Sequence, residues 1–157
     1  MPRAKSTVLA FLACVQIAQA ADSPVPTGRL PDTLRPTAYR LDLTIDPGKP
    51  DFSGRTEIDA VLARPARHFF IHGNELRVSA ARVTAGSKTV DARYTQVDDT
   101  GVARVDLSEE VPAGKVLLRF DYTAGFRSGA EGLYRAEIGG TWYAWTQMAP
   151  IDARRMF

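Results

Sequence analysis

The chain has 157 residues, of which 45% are hydrophobic, 24% charged and 9% aromatic, a globular composition that excludes a disordered, collagenous or disulfide-framework protein. Twenty Lys and Arg stand against eighteen Asp and Glu, a formal charge of +2, and the excess falls at Arg3 and Lys5. The remaining charges are scattered, with no run beyond two alike. No basic stripe exists for a phosphate backbone, which argues against nucleic acid as a partner.

Met1 to Lys5 form a short basic head, Val8 to Ile17 (VLAFLACVQI) an apolar run, and Ala18-Gln19-Ala20 a small-x-small cleavage signature. This is the pattern of a secretory signal peptide over residues 1–20. The run is too short to span a hydrocarbon core, which takes roughly twenty residues. The expectation is export to a periplasmic or extracellular location, cleavage after Ala20, and no transmembrane segment once the leader is gone. Cys14 is the single cysteine and lies in the leader, so the mature chain can build no disulfide, thiolate nucleophile or zinc ribbon. Its length suffices for one core burying roughly two-thirds of the unfolded surface.

Residues 21–36 read as an extended arm, because Pro24, Pro26, Pro31 and Pro36 fix φ and push the preceding residues out of the helical region. From residue 37 to 157 the grammar is that of a β domain. Tyr39, Leu41, Leu43 and Ile45 alternate with Arg40, Asp42, Thr44 and Asp46, which predicts a half-buried strand with the apolar set inward. Pro47-Gly48-Lys49-Pro50 is a turn, and Phe52 to Leu62 alternates again, so the two strands read as a long hairpin. Further strands are predicted at 69–71, 76–84, 89–96, 102–107, 115–123 and 141–147. In the 115–123 strand Val116, Leu118, Phe120 and Tyr122 form the inner face and Lys115, Arg119 and Asp121 the outer. No window carries an amphipathic helix. The fold class is therefore all-β, an antiparallel sandwich or curled sheet.

Catalytic constellations are sparse. His68 and His72 lie four apart on a strand, which separates them by about 13 Å, too far for one ion. Ser128 lacks a G-x-S-x-G elbow and reads as a loop serine. Gly86-Ser87-Lys88-Thr89 lacks the remainder of a phosphate loop and reads as a hairpin turn. Asp98-Asp99 and Glu109-Glu110 read as solvated pairs in polar turns. The stretch Gly132 to Phe157 exceeds generic strand grammar: Trp142, Tyr143 and Trp145 crowd one strand, and Arg154 and Arg155 need solvent or carboxylate partners. Read from the residues alone, those rings are either core or the platform of an autonomous sugar- or peptide-binding module, and a structural envelope protein without a ligand is a third reading.

Several motifs in order resemble the N-terminal domain of the aminopeptidase N family of zinc metallopeptidases. They are Leu30-Pro31 through Arg35-Pro36-x-x-Tyr39-x-Leu41-x-Leu43, then Phe52-x-Gly54 with Ile58, then Ile71-His72-Gly73-Asn74-Glu75-Leu76. Gly132-Leu133-Tyr134-Arg135 follows, and finally Thr146-Gln147-Met148-x-Pro150-x-Asp152-Ala153-Arg154-Arg155-x-Phe157. The resemblance covers about residues 30–157 and implies a saddle-shaped β domain capping the catalytic domain of a larger exported aminopeptidase, which trims N-terminal residues from peptides. The zinc, its ligands and the general base would belong to that catalytic domain, so the resemblance implies no catalytic or metal residue in this chain. It further implies that the chain is a fragment or a shortened gene product, inactive alone. One family site falls inside it: Gln147 would line the first specificity pocket, and Ala149 stands where the family has Glu or Gln to hold the substrate's free amino group.

Overall fold

A computed structural model describes residues 24–156. The expected leader lies outside them, as does Phe157. The described residues form nine strands: β1 (Leu34–Thr44), β2 (Asp51–Leu62), β3 (Ala66–His72), β4 (Arg77–Ala85), β5 (Lys88–Gln96), β6 (Val102–Val111), β7 (Gly114–Gly125), β8 (Gly132–Ile138) and β9 (Thr141–Gln147). A 3-10 turn follows at Asp152–Arg155. The first seven strands form one antiparallel sheet in the order β1-β2-β7-β4-β5-β6-β3, and β8 and β9 pair as a separate hairpin. The fold is all-β with a strongly curled antiparallel sheet.

β2 and β7 are the spine, paired residue for residue from Asp51↔Gly125 to Leu62↔Gly114. Because side chains alternate, the even-numbered residues of both strands share one face, and Phe52, Ile58, Ala60, Leu62, Val116, Leu118, Phe120 and Tyr122 on it are all buried. Val83, Val90, Val105, Val111 and Phe69 extend that core across the other strands. Gly54 belongs to this face for a steric reason: a Cβ there would lie 2.5 Å from the Tyr122 ring and 2.8 Å from Leu43. Inside the curl lies a cavity of about 260 Å³, walled by Tyr39, Ile58, Phe70, Phe120 and Tyr122, with Ala153 and Arg154 at one side.

The opposite face is a lattice of ion pairs. Arg40 donates to Glu57 at 3.1 Å and to Asp59 at 2.6 Å, Arg119 also bonds Glu57, and Arg55 donates to Asp121 at 2.6 Å. Arg82 and Arg119 face each other in the register, yet each has an acid, Asp91 or Glu57, on its other side. Bonds from Arg119 and then Arg40 hold the Glu57 carboxyl below its ordinary pKa.

Four expectations change. β1 begins at Leu34, within the proline arm, and accommodates Pro36 because it is an edge strand, with a register shift between Pro36 and Ala38. Its apolar side faces the core side of the sheet, but Tyr39 and Leu41, and Ile45 just past its end, are 49%, 40% and 41% exposed, since an edge strand has a neighbour on one side only. Glu109 and Glu110 lie at the end of β6, where Lys88 meets Glu109 at 2.6 Å, and not in a turn. β8 was not expected as a strand, whereas the Gly86 turn joins β4 to β5 as read, with Gly86 at φ +59°.

Leu118 is fully buried at the crossing of the β2, β7 and β4 ladders. Leu118→Ala should therefore cost about 2–5 kcal/mol, measured as a lower urea midpoint. Arg40→Ala, which removes solvated ion pairs, should move the midpoint far less.

Candidate functional site

The β8–β9 hairpin has two unlike faces. Its register, Gly132↔Gln147, Tyr134↔Trp145, Arg135↔Ala144 and Glu137↔Trp142, puts Leu133, Arg135, Trp142 and Ala144 on one side. That side is anchored through β8: Leu133 is 3% exposed, and Arg135 donates to the carbonyls of Pro47 and Lys49 in the β1–β2 turn, while Trp142 stays 38% exposed. The Arg135 guanidinium also lies 4.3 Å from the centre of the Trp142 ring, a cation–π contact that holds the tryptophan beside the clamp. The other side is open and uncharged. Tyr134 stacks on Trp145 at 5.9 Å, Tyr143 meets Trp145 at 5.7 Å, and Tyr143 and Trp145 remain 46% and 39% exposed.

Gln147 ends β9 on that open side, as the two-residue period from Trp145 predicts. It is exposed, and its amide bonds to none of the described residues. Beyond it the chain turns through Met148, Ala149, Pro150 and Ile151, all exposed, into the 3-10 turn. Asp152, 5% exposed, accepts the Ala149 N–H at 3.0 Å and donates its own N–H to the Ala149 carbonyl at 3.0 Å.

The 3-10 turn is itself pinned to the large sheet. The Asn74 N–H donates to the Arg154 carbonyl at 2.6 Å, and the Tyr122 hydroxyl donates to the Met156 carbonyl at 2.6 Å. Arg154 donates to the carbonyls of Thr100 and Ile151, while Arg155 pairs with Glu131 at 2.7 Å. Thus one arginine finds a carboxylate and the other finds backbone oxygens. Asn74 is buried and accepts from Gln96 at 3.0 Å. Gly101, at φ +91°, packs against it, and a Cβ there would come within 2.8 Å of the Asn74 Cβ. Asp98 closes the same turn by accepting from Val102 N–H at 2.8 Å and from Thr100, and these bonds, led by Val102, lower its pKa.

The remaining candidates stay apart. His68 and His72 lie four residues apart on β3, His68 edge-on to Phe70 and His72 near Arg154, its buried Nδ1 without a hydrogen-bond partner among the described residues. Among the described residues no three His, Cys, Asp or Glu side chains gather closely enough to hold a metal ion. Ser128 is exposed in the loop before β8. No helix among the described residues is long and apolar enough to cross a membrane. Asn74, Arg135 and Asp152 stand in sequence motifs that assign them no role, because their partners are mostly backbone atoms, distant along the chain for Asn74 and Arg135 and three residues away for Asp152. Tyr122 was placed in the core, yet its hydroxyl serves the 3-10 turn.

Residues 35–157 match the Peptidase M1 N-terminal domain. The chain belongs to that family. Among curated relatives, Aminopeptidase M1-B of Oryza sativa subsp. japonica is 28% identical over 133 residues, which is 82% of this chain and 15% of that protein. Aminopeptidase M1-C of the same organism is 25% identical over 150 residues, 87% of this chain and 17% of its own length. The chain therefore spans about a sixth of the length of these curated relatives. As an M1 N-terminal domain it has the expected all-β fold, and the match includes the whole of β9 and the segment that carries Gln147, Ala149 and Asp152.

Burial, and next the Arg154 charge, lower the pKa of His72 below its ordinary 6.5, against the opposing effects of Gly101 and Asp98. The folded state thus binds this proton less readily than the unfolded chain, so the stability it contributes is full above pH 6.5 and declines as the pH falls below it. His72→Gln should flatten the urea midpoint between about pH 7.5 and 5.5 relative to the unmodified chain.

Proposed function

We propose that this chain is the N-terminal β domain of an exported, zinc-dependent aminopeptidase, in which it borders the peptide-binding cleft and leaves hydrolysis to a catalytic domain of the same polypeptide. The observation that carries the proposal is Gln147. Within a segment matching the M1 N-terminal domain, its side chain stands exposed, with no hydrogen bond among the described residues, at the end of β9, which pairs with the strand that Arg135 ties to the β1–β2 turn. An amide so placed can bond the first residue of a peptide while the strand behind it stays fixed. The family match and the two relatives named as aminopeptidases support the same reading.

The donor set of the described residues does not fit a zinc site. The two histidines lie about 13 Å apart along one strand, and no third ligand joins either of them. Zinc, in this reading, belongs to the catalytic domain, and purified Ala21–Phe157 should hold no stoichiometric zinc after dialysis, as measured by elemental analysis. One tightly bound ion per chain would overturn that assignment. Export rests on the basic head, apolar run and Ala18-Gln19-Ala20 signature, and N-terminal sequencing of exported protein should begin at Ala21.

Ala149 brings no carboxylate to the substrate's amino group, so Gln147 carries more of that recognition. A neutral amide contact contributes about 0.5–1.5 kcal/mol. Gln147→Ala in the whole enzyme should then lower kcat/KM by roughly threefold to tenfold, and Ala149→Glu should raise selectivity for free over blocked amino termini. Trp142→Ala, on the clamped face, should change kcat/KM less. The reading fails if Gln147→Ala leaves kcat/KM unchanged on several aminoacyl substrates while Trp142→Ala alters it. An autonomous binding module on Trp142, Tyr143 and Trp145 is the other reading; the register puts Trp142 on the opposite face, so its platform would be Tyr143 and Trp145 with Tyr134, and it predicts ligand binding by this chain without hydrolysis.

A further inference from the structure

We infer that Asp152 is a positioning residue for the amine end of the substrate, acting through the backbone of Ala149 and the orientation of Gln147. The inference rests on the aminopeptidase reading and adds a residue to its site. The β8–β9 ladder ends at Gln147, and the next four side chains are exposed, with Met148 and Ile151 at 45% and 56%. Packing therefore does not fix the direction in which the chain leaves the strand.

Among the described residues, both hydrogen bonds that hold the Ala149 backbone come from Asp152, one through its carboxylate and one through its own N–H, each at 3.0 Å. The carboxylate is buried and makes no ion pair among the described residues. A buried acid is a costly acceptor where an uncharged cap would serve the same backbone bond, and here it joins two parts of unlike rigidity. On one side is a 3-10 turn pinned by Asn74, Tyr122 and Arg154; on the other is an exposed segment with no other bond at Ala149. Asp152 thereby transmits the position of the sheet to the two residues nearest the substrate. It does not touch substrate itself.

The test compares Asp152→Ala and Asp152→Asn in the whole enzyme, with hydrogen exchange at the Ala149 amide and steady-state kinetics on free-amine aminoacyl substrates. Asn keeps a side-chain oxygen that can accept the same N–H, and Ala does not. Asp152→Ala should speed exchange at Ala149 by about tenfold or more and raise KM by roughly fivefold to tenfold with kcat within about twofold. Asp152→Asn should restore both. If Asp152→Ala does not fold, Asp152→Ser, whose hydroxyl sits nearer the backbone, is read by the same two measurements. Unchanged exchange at Ala149, a loss confined to kcat and folded yield, or failure of Asn to rescue would each overturn the inference. An unmodified enzyme that hydrolyses no aminoacyl substrate would overturn the aminopeptidase reading instead, while the exchange measurement still decides whether Asp152 holds Ala149.

Discussion

The pairing of β2 with β7 is the constraint from which the rest of the molecule follows. Twelve residues on each strand meet without a register shift, and a single alternation then sorts their side chains into a buried row and a charged row. A slip of one residue would bury Arg55, Glu57 and Arg119 and expose Ile58, Leu118 and Phe120. The same register brings Tyr122 opposite Gly54, where the missing side chain admits its ring, and so sets the hydroxyl at the point where it meets the Met156 carbonyl. The end of the chain, and with it the Gln147 segment, is located by a contact that begins in the middle of the sheet.

The hairpin illustrates how one short element serves two environments. Arg135 is the residue that orients it: its side chain reaches the Pro47 and Lys49 carbonyls and lies close to Phe126 and Trp142. A charged side chain pays for partial burial with directed bonds to backbone oxygens, and these bonds fix which face of the hairpin is left open. The open face then presents rings and an amide with no charge among them.

Much of this was legible in the sequence. Period-two alternation placed the spine strands within a residue or two, and the face assignment of Val116, Leu118, Phe120 and Tyr122 holds in the structure. β8 escaped because GLYRAEI is packed on its Leu133 and Arg135 side and stacked with aromatics on its Tyr134 side, so neither face reads as plainly polar. β1 misled in the opposite direction: its alternation is clean, but alternation states which side a residue faces and not whether anything covers that side. The tethers at Asn74, Asp98 and Asp152 left no signal because each is one polar residue whose partners are chiefly backbone atoms, and backbone atoms carry no residue code. Gln147 is reached through the motif around it, and the exposure of its side chain, with no hydrogen-bond partner among the described residues, comes only with the fold.

The strand order has a consequence for assembly. β7 is the last of the seven strands to be synthesised, yet it stands between β2 and β4. Local hairpins can form as the chain emerges: β1 with β2, and β4 with β5 and β6. The two groups cannot join into one sheet until residues 114–125 arrive between them, and closing that distant contact costs loop entropy that no neighbouring pair repays in advance. Until then β2 and β4 each carry an unsatisfied edge, so the interval between synthesis of β2 and of β7 is when the nascent chain is most open to mispairing.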